Sequence, residues 1–431
     1  MKVLYDISLL GNAHATNVRA GIVRTTEQIA LGLDASEECE LIFCCPESVT
    51  VLGRCEAYLA AYPQFGKIPL AHTEAVRRIA SECWSLEGAA QDSSPAFRRV
   101  PAKIRRNFLR WQAKKMGAKT SPVDPKMVAS ADIFHSPFDA IPSQFLEANH
   151  LCNFLTVYDL IAISHPEYFK GIKTDLSIGL KLAFASIEQR GWALCISEAT
   201  KHDLCNHLKG LDPNRAVVTP LAASDMFYPC NDAAKITAIR KKYHIPDGPY
   251  LLSLSTLEPR KNIEHVIRCF ARLVGEQGIK DLSLVLAGAN GWSYSKIYQE
   301  IAETKGLEGR VITAGYISEE DMSGVYSGAM MFAYMSLYEG FGLPPLEAMQ
   351  CGVPVITSNS SSLPEVVGKA GVMLDGKDED GLCEAMLSIY RSESVREAMR
   401  EKSLERASEF SWEKTAALTI DAYSHAIANS K

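Results

Sequence analysis

Two carboxylates stand eight positions apart in the stretch Ser-Leu-Tyr-Glu-Gly-Phe-Gly-Leu-Pro-Pro-Leu-Glu, residues 336–347: Glu339 and Glu347. Between them, Gly340 and Gly342 let the backbone come close to a ligand, with Phe341 and Leu343 completing the loop. The loop runs into a short helix. The amides of Gly342, Leu343 and the first turn carry the partial positive charge of a helix N-terminus, which suits phosphate. Carboxylates repel phosphate, so Glu339 and Glu347 make sense as acceptors for hydroxyl groups beside it, one set on a sugar and one on a ribose. A sugar nucleotide fits that combination. Without a ligand, Glu339 reads as a solvated loop residue and Glu347 as a carboxylate favoured at a helix start.

A second constellation is Glu258-Pro259-Arg260-Lys261, between a strand at 250–255 that reads as fully buried and a helix over 263–275. Two adjacent cations at a helix start oppose the helix dipole unless an anion is present. Arginine can fork onto two phosphate oxygens and lysine adds a point charge. The alternative is an exposed pair on the surface.

These loops need strands to hold them. Residues 330–335 read as a buried strand before the first loop, and 353–357 as the strand after its helix at 345–351, with Gly352 as the helix stop. Further strands are expected at 3–7, 41–45, 132–136, 153–159, 193–196, 216–221, 282–288 and 310–317. Helices are expected at 21–33, 52–61, 73–83, 180–190 and 234–243. The alternation predicts an α/β chain with parallel, doubly wound, Rossmann-like sheets. Ligands sit beyond the carboxyl ends of such strands, which makes His135, Tyr158 and Asp159 cleft candidates. For His135 a packed or capping role competes with this. Ser197 fits a helix N-cap. Gly21 and Arg24 open the first long helix and could approach a diphosphate. The boundaries drawn are 1–229 for a first domain, 247–409 for a second and 410–431 for a terminal helix.

The run Glu339-Gly-Phe-Gly-Leu-Pro-Pro-Leu-Glu347, followed by Cys351-Gly-Val-Pro-Val-Ile-Thr-Ser-Asn359 and Ser362-Leu-Pro-Glu-Val-Val367, resembles the retaining glycosyltransferases of family four, which have the GT-B fold. Tyr158-Asp-Leu-Ile161 and His165-Pro-Glu-Tyr-Phe169 resemble the bacterial polysaccharide mannosyltransferase branch, which usually has His where this chain has Tyr158. The resemblance covers nearly all of 130–428. It implies an acceptor domain first and a nucleotide-sugar domain second, with the last helix crossing back to the first. It implies that Arg260 and Lys261 bind the donor diphosphate, that Glu339 holds sugar hydroxyls and Glu347 the ribose, and that Tyr316 and Ile317 frame the base, largely through backbone groups. Ser255 stands where some members carry a further Arg. The implied activity is hexose transfer, with mannose from GDP-mannose favoured, to a hydroxyl of a lipid-linked or polysaccharide acceptor. A UDP-hexose or GDP-deoxyhexose donor, or a non-catalytic sugar-nucleotide-binding relative, stays open.

Composition bounds the rest. A chain of 431 residues that is 47% hydrophobic can build large cores, and a net charge of −6 argues against nucleic acid as a partner. The twelve cysteines show no Cys-x-x-Cys spacing, and residues 1–6 are strand-like rather than a leader, so a reduced, cytoplasmic protein is expected. No cofactor and no metal are expected; Asp378-Glu379-Asp380 reads as a solvated turn. One segment departs from the acidic average. Arg98, Arg99, Lys103, Arg105, Arg106, Arg110, Lys114, Lys115 and Lys119 occur with no acid between Asp92 and Asp124. Ile104, Phe108 and Trp111 give it helical amphipathicity. Docking on an anionic membrane surface competes with a solvated helix that buries its apolar stripe on the domain.

Overall fold

The computed structural model describes all residues except 18–20, 88–95, 116–120, 171, 173–174 and 430–431, and leaves out the side chains of 96–99 and 114. Two six-stranded sheets form, and every strand pairing is parallel. The first contains β1 (Lys2–Asp6), β2 (Glu40–Cys44), β3 (Ile133–Ser136), β4 (Cys152–Val157), β5 (Trp192–Cys195) and β6 (Ala216–Val218), in the order β2-β1-β3-β4-β5-β6. The second contains β7 (Tyr250–Leu254), β8 (Ser283–Ala287), β9 (Val311–Gly315), β10 (Met331–Tyr334), β11 (Val355–Ser358) and β12 (Val372–Leu374), in the order β12-β11-β10-β7-β8-β9.

The local causes are plain. Most inner strands are apolar at nearly every position because helices cover both faces, as parallel sheets require. The helix Ile263–Glu276 buries Ile263, Val266, Ile267, Phe270, Leu273 and Val274 on one side, a 3.6-residue stripe. In the second sheet the chain leaves β7 toward β8 and leaves β10 toward β11. The crevice beyond their carboxyl ends is the topological switch point, where open α/β sheets bind ligands. In the first sheet β1 and β3 form the equivalent point.

The linker helix Ala233–Lys242 separates the sheets, and the last helix, Trp412–Asn429, returns to the first domain. There Ile420, Ala422, Tyr423 and Ala426 join the core built around β1 and the helix Gly21–Asp34. Ala416 packs so closely that a Cβ on Gly32 would lie 2.6 Å from its own.

Two local expectations change. Residues 8–16, read as loop, form the helix Ser8–Thr16, whose Gly11 and Asn12 hide its periodicity. Gly11 is what lets it pack: a Cβ there would meet Cys55 Sγ at 2.6 Å. The helix after the Glu339 loop starts at Leu343 rather than Pro345, because Gly342 turns the chain at φ 128 and both prolines fit the first turn, where no intrahelical donor is needed.

Candidate active site

The two constellations meet at the β7/β10 switch point. After β7 comes a single 3₁₀ turn, Pro259–Lys261, ended by Asn262 in the left-handed region at φ 55. The Asn262 side-chain amide donates to the carbonyls of Met335 (3.1 Å) and Gly376 (2.8 Å), tying the β7 loop to the β10 loop. The Arg260 carbonyl accepts from Leu337 N at 2.9 Å.

Their side chains form one buried charge cluster. Arg260 Nη1 lies 2.8 Å from Glu339 Oε2 and donates to the Tyr338 carbonyl at 2.6 Å, while Nη2 reaches Glu258 Oε1 at 2.7 Å. Lys261 Nζ lies 2.6 Å from Glu339 Oε1 and donates to the Tyr334 hydroxyl at 2.7 Å. The Tyr334 hydroxyl in turn donates to Glu339 Oε1 at 2.8 Å. Two cations face two carboxylates, so the cluster is close to neutral. Burial alone would raise the Glu339 carboxyl, but Lys261 and Arg260 outweigh it and hold it down at about 2. Burial lowers the Lys261 ammonium, with Glu339 opposing. Arg260 Nε is buried with no hydrogen-bond partner.

The loop itself is pinned from behind. Ser361 Oγ accepts from Glu339 N at 2.8 Å, and Ser362 Oγ donates to the carbonyls of Glu339 and Phe341. The Phe341 side chain points into the core against Phe410, ring centroids 6.0 Å apart. The backbone of Phe341, not its ring, is the part that lines the donor loop.

The first domain closes on this loop. A Cβ on Gly340 would lie 2.1 Å from the Tyr158 carbonyl and 3.0 Å from Asp159 Cβ, so only glycine fits. The Gly340 carbonyl accepts from Ser197 Oγ at 2.7 Å and Thr200 Oγ1 at 3.1 Å. Ser197 also caps the helix Glu198–His207, accepting from Thr200 N at 3.0 Å; that helix begins at Glu198, ahead of Thr200. Glu365 of the second domain binds the same helix end, accepting from Glu198 N and Ala199 N, each at 2.7 Å. Trp292 Nε1 reaches across to the Tyr168 carbonyl at 2.6 Å. Asp159 Oδ1 accepts from Ile161 N at 2.9 Å, and burial raises its carboxyl within the field of Arg260, Glu339 and Lys261.

Glu347 lies on the other side of the loop, also buried. Its Oε2 accepts from Tyr326 OH at 3.0 Å, and its Oε1 is 3.3 Å from Arg24 Nη2 of the first domain. Burial raises this carboxyl against both partners. Gly21, Arg24, Glu319, Leu343 and Glu347 line one cavity of about 110 Å³.

Two cleft candidates turn their side chains elsewhere. His135 is not in the cleft: it is fully buried in β3, with Nδ1 2.6 Å from Tyr423 OH and Nε2 2.7 Å from Thr156 Oγ1. Burial pushes its imidazole down to about 3, so it stays neutral and serves packing. The Tyr158 hydroxyl is buried as well; the backbone of Tyr158, not its phenol, meets the loop. Just past edge strand β9, the Tyr316 side chain is 68% exposed and that of Ile317 packs in the core, which leaves the backbone of both to frame a base. Asp378 caps a helix by accepting from Gly381 N at 2.8 Å, and is no solvated turn. Sequence reading passed over Glu319, Tyr326 and Tyr334, and quoted Glu258 and Glu365 within their motifs without giving either a role.

This geometry has known counterparts. The profile described as "Glycosyl transferases group 1" matches residues 235–406. The O-antigen chain mannosyltransferase B of Escherichia coli is 34% identical over 291 residues, 68% of this chain and 74% of that one. The serotype-specific mannosyltransferase WbdA of Escherichia coli is 33% identical over 200 residues, 46% of this chain but only 24% of that longer protein. Among solved structures, a sucrose-phosphate synthase from Thermosynechococcus elongatus superposes over 100% of both chains with a TM-score of 0.64 at 18% identity, a likeness of fold. Two facing Rossmann-like domains and sequence identity across three quarters of an O-antigen mannosyltransferase place this chain in the group 1 glycosyl transferases, family four of the GT-B enzymes.

Proposed function

We propose that the protein transfers mannose from GDP-mannose to a hydroxyl of a lipid-linked or polysaccharide acceptor, on the cytoplasmic face of the membrane, with retention at the anomeric carbon and without a metal ion. The observation that carries this is the Arg260–Lys261 pair held on Glu339 at the switch point. Both mannosyltransferase relatives support the choice of sugar.

A donor diphosphate entering the crevice competes with Glu339 for the two cations. As they turn to the phosphates, Glu339, which the pair keeps ionised before the donor enters, is released to accept from sugar hydroxyls. Arg260, Lys261 and the loop amides then stabilise the charge that grows on the diphosphate as the bond from the anomeric carbon to phosphate oxygen breaks. The acceptor oxygen bonds to the same carbon on the same face, and its proton passes to the departing phosphate oxygen. Asp159, against Gly340, would orient the acceptor hydroxyl. Glu347 would hold the ribose, with Arg24 moving from it toward the diphosphate. Two side-chain cations supply the charge that a divalent metal gives in other phosphate sites, which supports metal independence.

The test is a panel of nucleoside diphosphate sugars, read by thermal shift and then by transfer in EDTA. The largest stabilisation by GDP-mannose, with transfer unchanged in EDTA, is expected. A larger shift with a UDP-hexose or GDP-deoxyhexose would reassign the donor. Loss of transfer in EDTA, restored by Mg²⁺, would reject metal independence. Binding without turnover on any acceptor would favour a non-catalytic relative.

A further inference from the structure

The basic segment folds as the helix Ala96–Lys115, but it sits on the protein the opposite way round from an ordinary amphipathic helix. The residues facing the domain are two alanines, one leucine and an arginine. Ala102, Leu109 and Ala113 are buried, and Arg110 turns inward to donate to Thr50 Oγ1 from Nε (3.0 Å) and Nη2 (2.8 Å). The large apolar residues face out. Val100, Ile104, Phe108 and Trp111 are 50%, 66%, 53% and 50% exposed. Their spacing of four, four and three places them in one stripe along the helix. Phe108 and Trp111 stack with ring centroids 5.6 Å apart, and Lys115 Nζ lies 4.0 Å over the Trp111 ring.

A water-facing helix has no reason to show this stripe while turning arginine inward. The helix is also a cationic island on a chain of net charge −6, holding eight Lys and Arg and no acid. Arg105 beside the stripe is 62% exposed and paired with Glu82 of the neighbouring helix. Apolar side chains flanked by the exposed cations Arg105 and Lys115 match the chemistry of an anionic lipid surface, with acyl chains for the stripe and headgroup phosphates for the cations. No described helix is long and apolar enough to cross a membrane, so attachment by this face would be peripheral.

We infer that the outward face of the helix Ala96–Lys115 is a docking surface for an anionic lipid bilayer, seating Val100, Ile104, Phe108 and Trp111 below the headgroups. The inference deepens the lipid-linked acceptor reading but rests on its own observation, the exposed stripe.

The experiment is flotation of the full chain with vesicles of phosphatidylcholine, with and without phosphatidylglycerol as the minority lipid. Binding to the anionic vesicles alone is expected, weakening as salt rises. The triple variant Ile104→Ser, Phe108→Ser, Trp111→Ser should bind at least about ten-fold more weakly. Because the stripe side chains are half or more exposed, this variant should keep close to the wild-type melting temperature and its transfer to a water-soluble acceptor. Lys103→Gln with Lys115→Gln should weaken binding by about five-fold per charge removed. No flotation of the wild type, or equal flotation of the triple variant, overturns the inference. So does a wild-type dimer that the triple variant turns into a monomer with vesicle binding unchanged, which would give the face to a second copy. Loss of sugar transfer with normal flotation would strike the functional proposal and leave this one standing.

Discussion

Arg24 Nη2 lies 3.3 Å from Glu347 Oε1, and this ion pair joins the helix Gly21–Asp34 of one domain to the donor loop of the other. Glu347 is buried, while Arg24 keeps about a quarter of its side chain in solvent. The pair thus couples closure of the cleft to the state of a carboxylate proposed to hold the ribose. Arg24→Met should leave that carboxylate with Tyr326 alone and destabilise the protein by about 1–3 kcal/mol. Adding Glu347→Gln should recover part of the loss, which a double-mutant cycle on melting curves would show. Strictly additive effects would deny the coupling.

Gly340 is fixed by close approach. Gly340→Ala places a methyl 2.1 Å from the Tyr158 carbonyl, where backbone on both sides resists. The expected cost is about 1–3 kcal/mol, with kcat/KM reduced at least about ten-fold because the cleft closes imperfectly. Wild-type kinetics in this variant would show that the two loops need not touch during turnover.

Glu365 supplies a second tie, its carboxylate on the N-terminus of the helix Glu198–His207. Charge-assisted bonds to helix-terminal amides favour the closed arrangement. Glu365→Ala should shift the domains toward an open form, seen as a larger radius of gyration in small-angle scattering. An unchanged radius would mean that the Ser197 and Thr200 bonds to Gly340 suffice.

Acid sensitivity has a definite source in the first domain. His135 is pushed down to about 3 and His72 to about 4, both chiefly by burial. Below pH of about 6.5 the unfolded chain takes up protons that these folded rings refuse, so stability falls as pH drops through that window toward 3. Glu339, depressed to about 2, adds a loss only below its ordinary value of 4.5. Asp6 runs the other way: burial raises it to about 7, so its contribution weakens as pH rises from 3.8. His135→Gln should flatten the slope of melting temperature against pH between 6.5 and 3. An unchanged slope would refute the assignment.

Much of this was legible in the residues. Pattern and punctuation located the strands, and helix-end electrostatics singled out Arg260 and Lys261. What the chain could not show was which way side chains turn. Tyr334 and Tyr326 look like core strand and helix residues, yet their hydroxyls bind Glu339 and Glu347. His135 ends a strand like a cleft residue, yet the returning helix brings Tyr423 onto its ring across 288 positions. Ile104, Phe108 and Trp111 have a core stripe's spacing, but inward-turned Arg110 occupies the side that would have buried them. Apart from Tyr334, five positions from Glu339, each miss is a tertiary partner distant in sequence, which local periodicity does not encode.

The central claim is that Arg260 and Lys261 leave Glu339 to carry the charge of a departing diphosphate. Its most direct test is the single-turnover rate of mannosyl transfer by Lys261→Ala at saturating GDP-mannose, in protein whose melting curve shows it folded. The account predicts a rate about 10²–10³-fold below wild type. A rate within about three-fold of wild type, at the edge of what a lost hydrogen bond of about 1 kcal/mol produces, would contradict it.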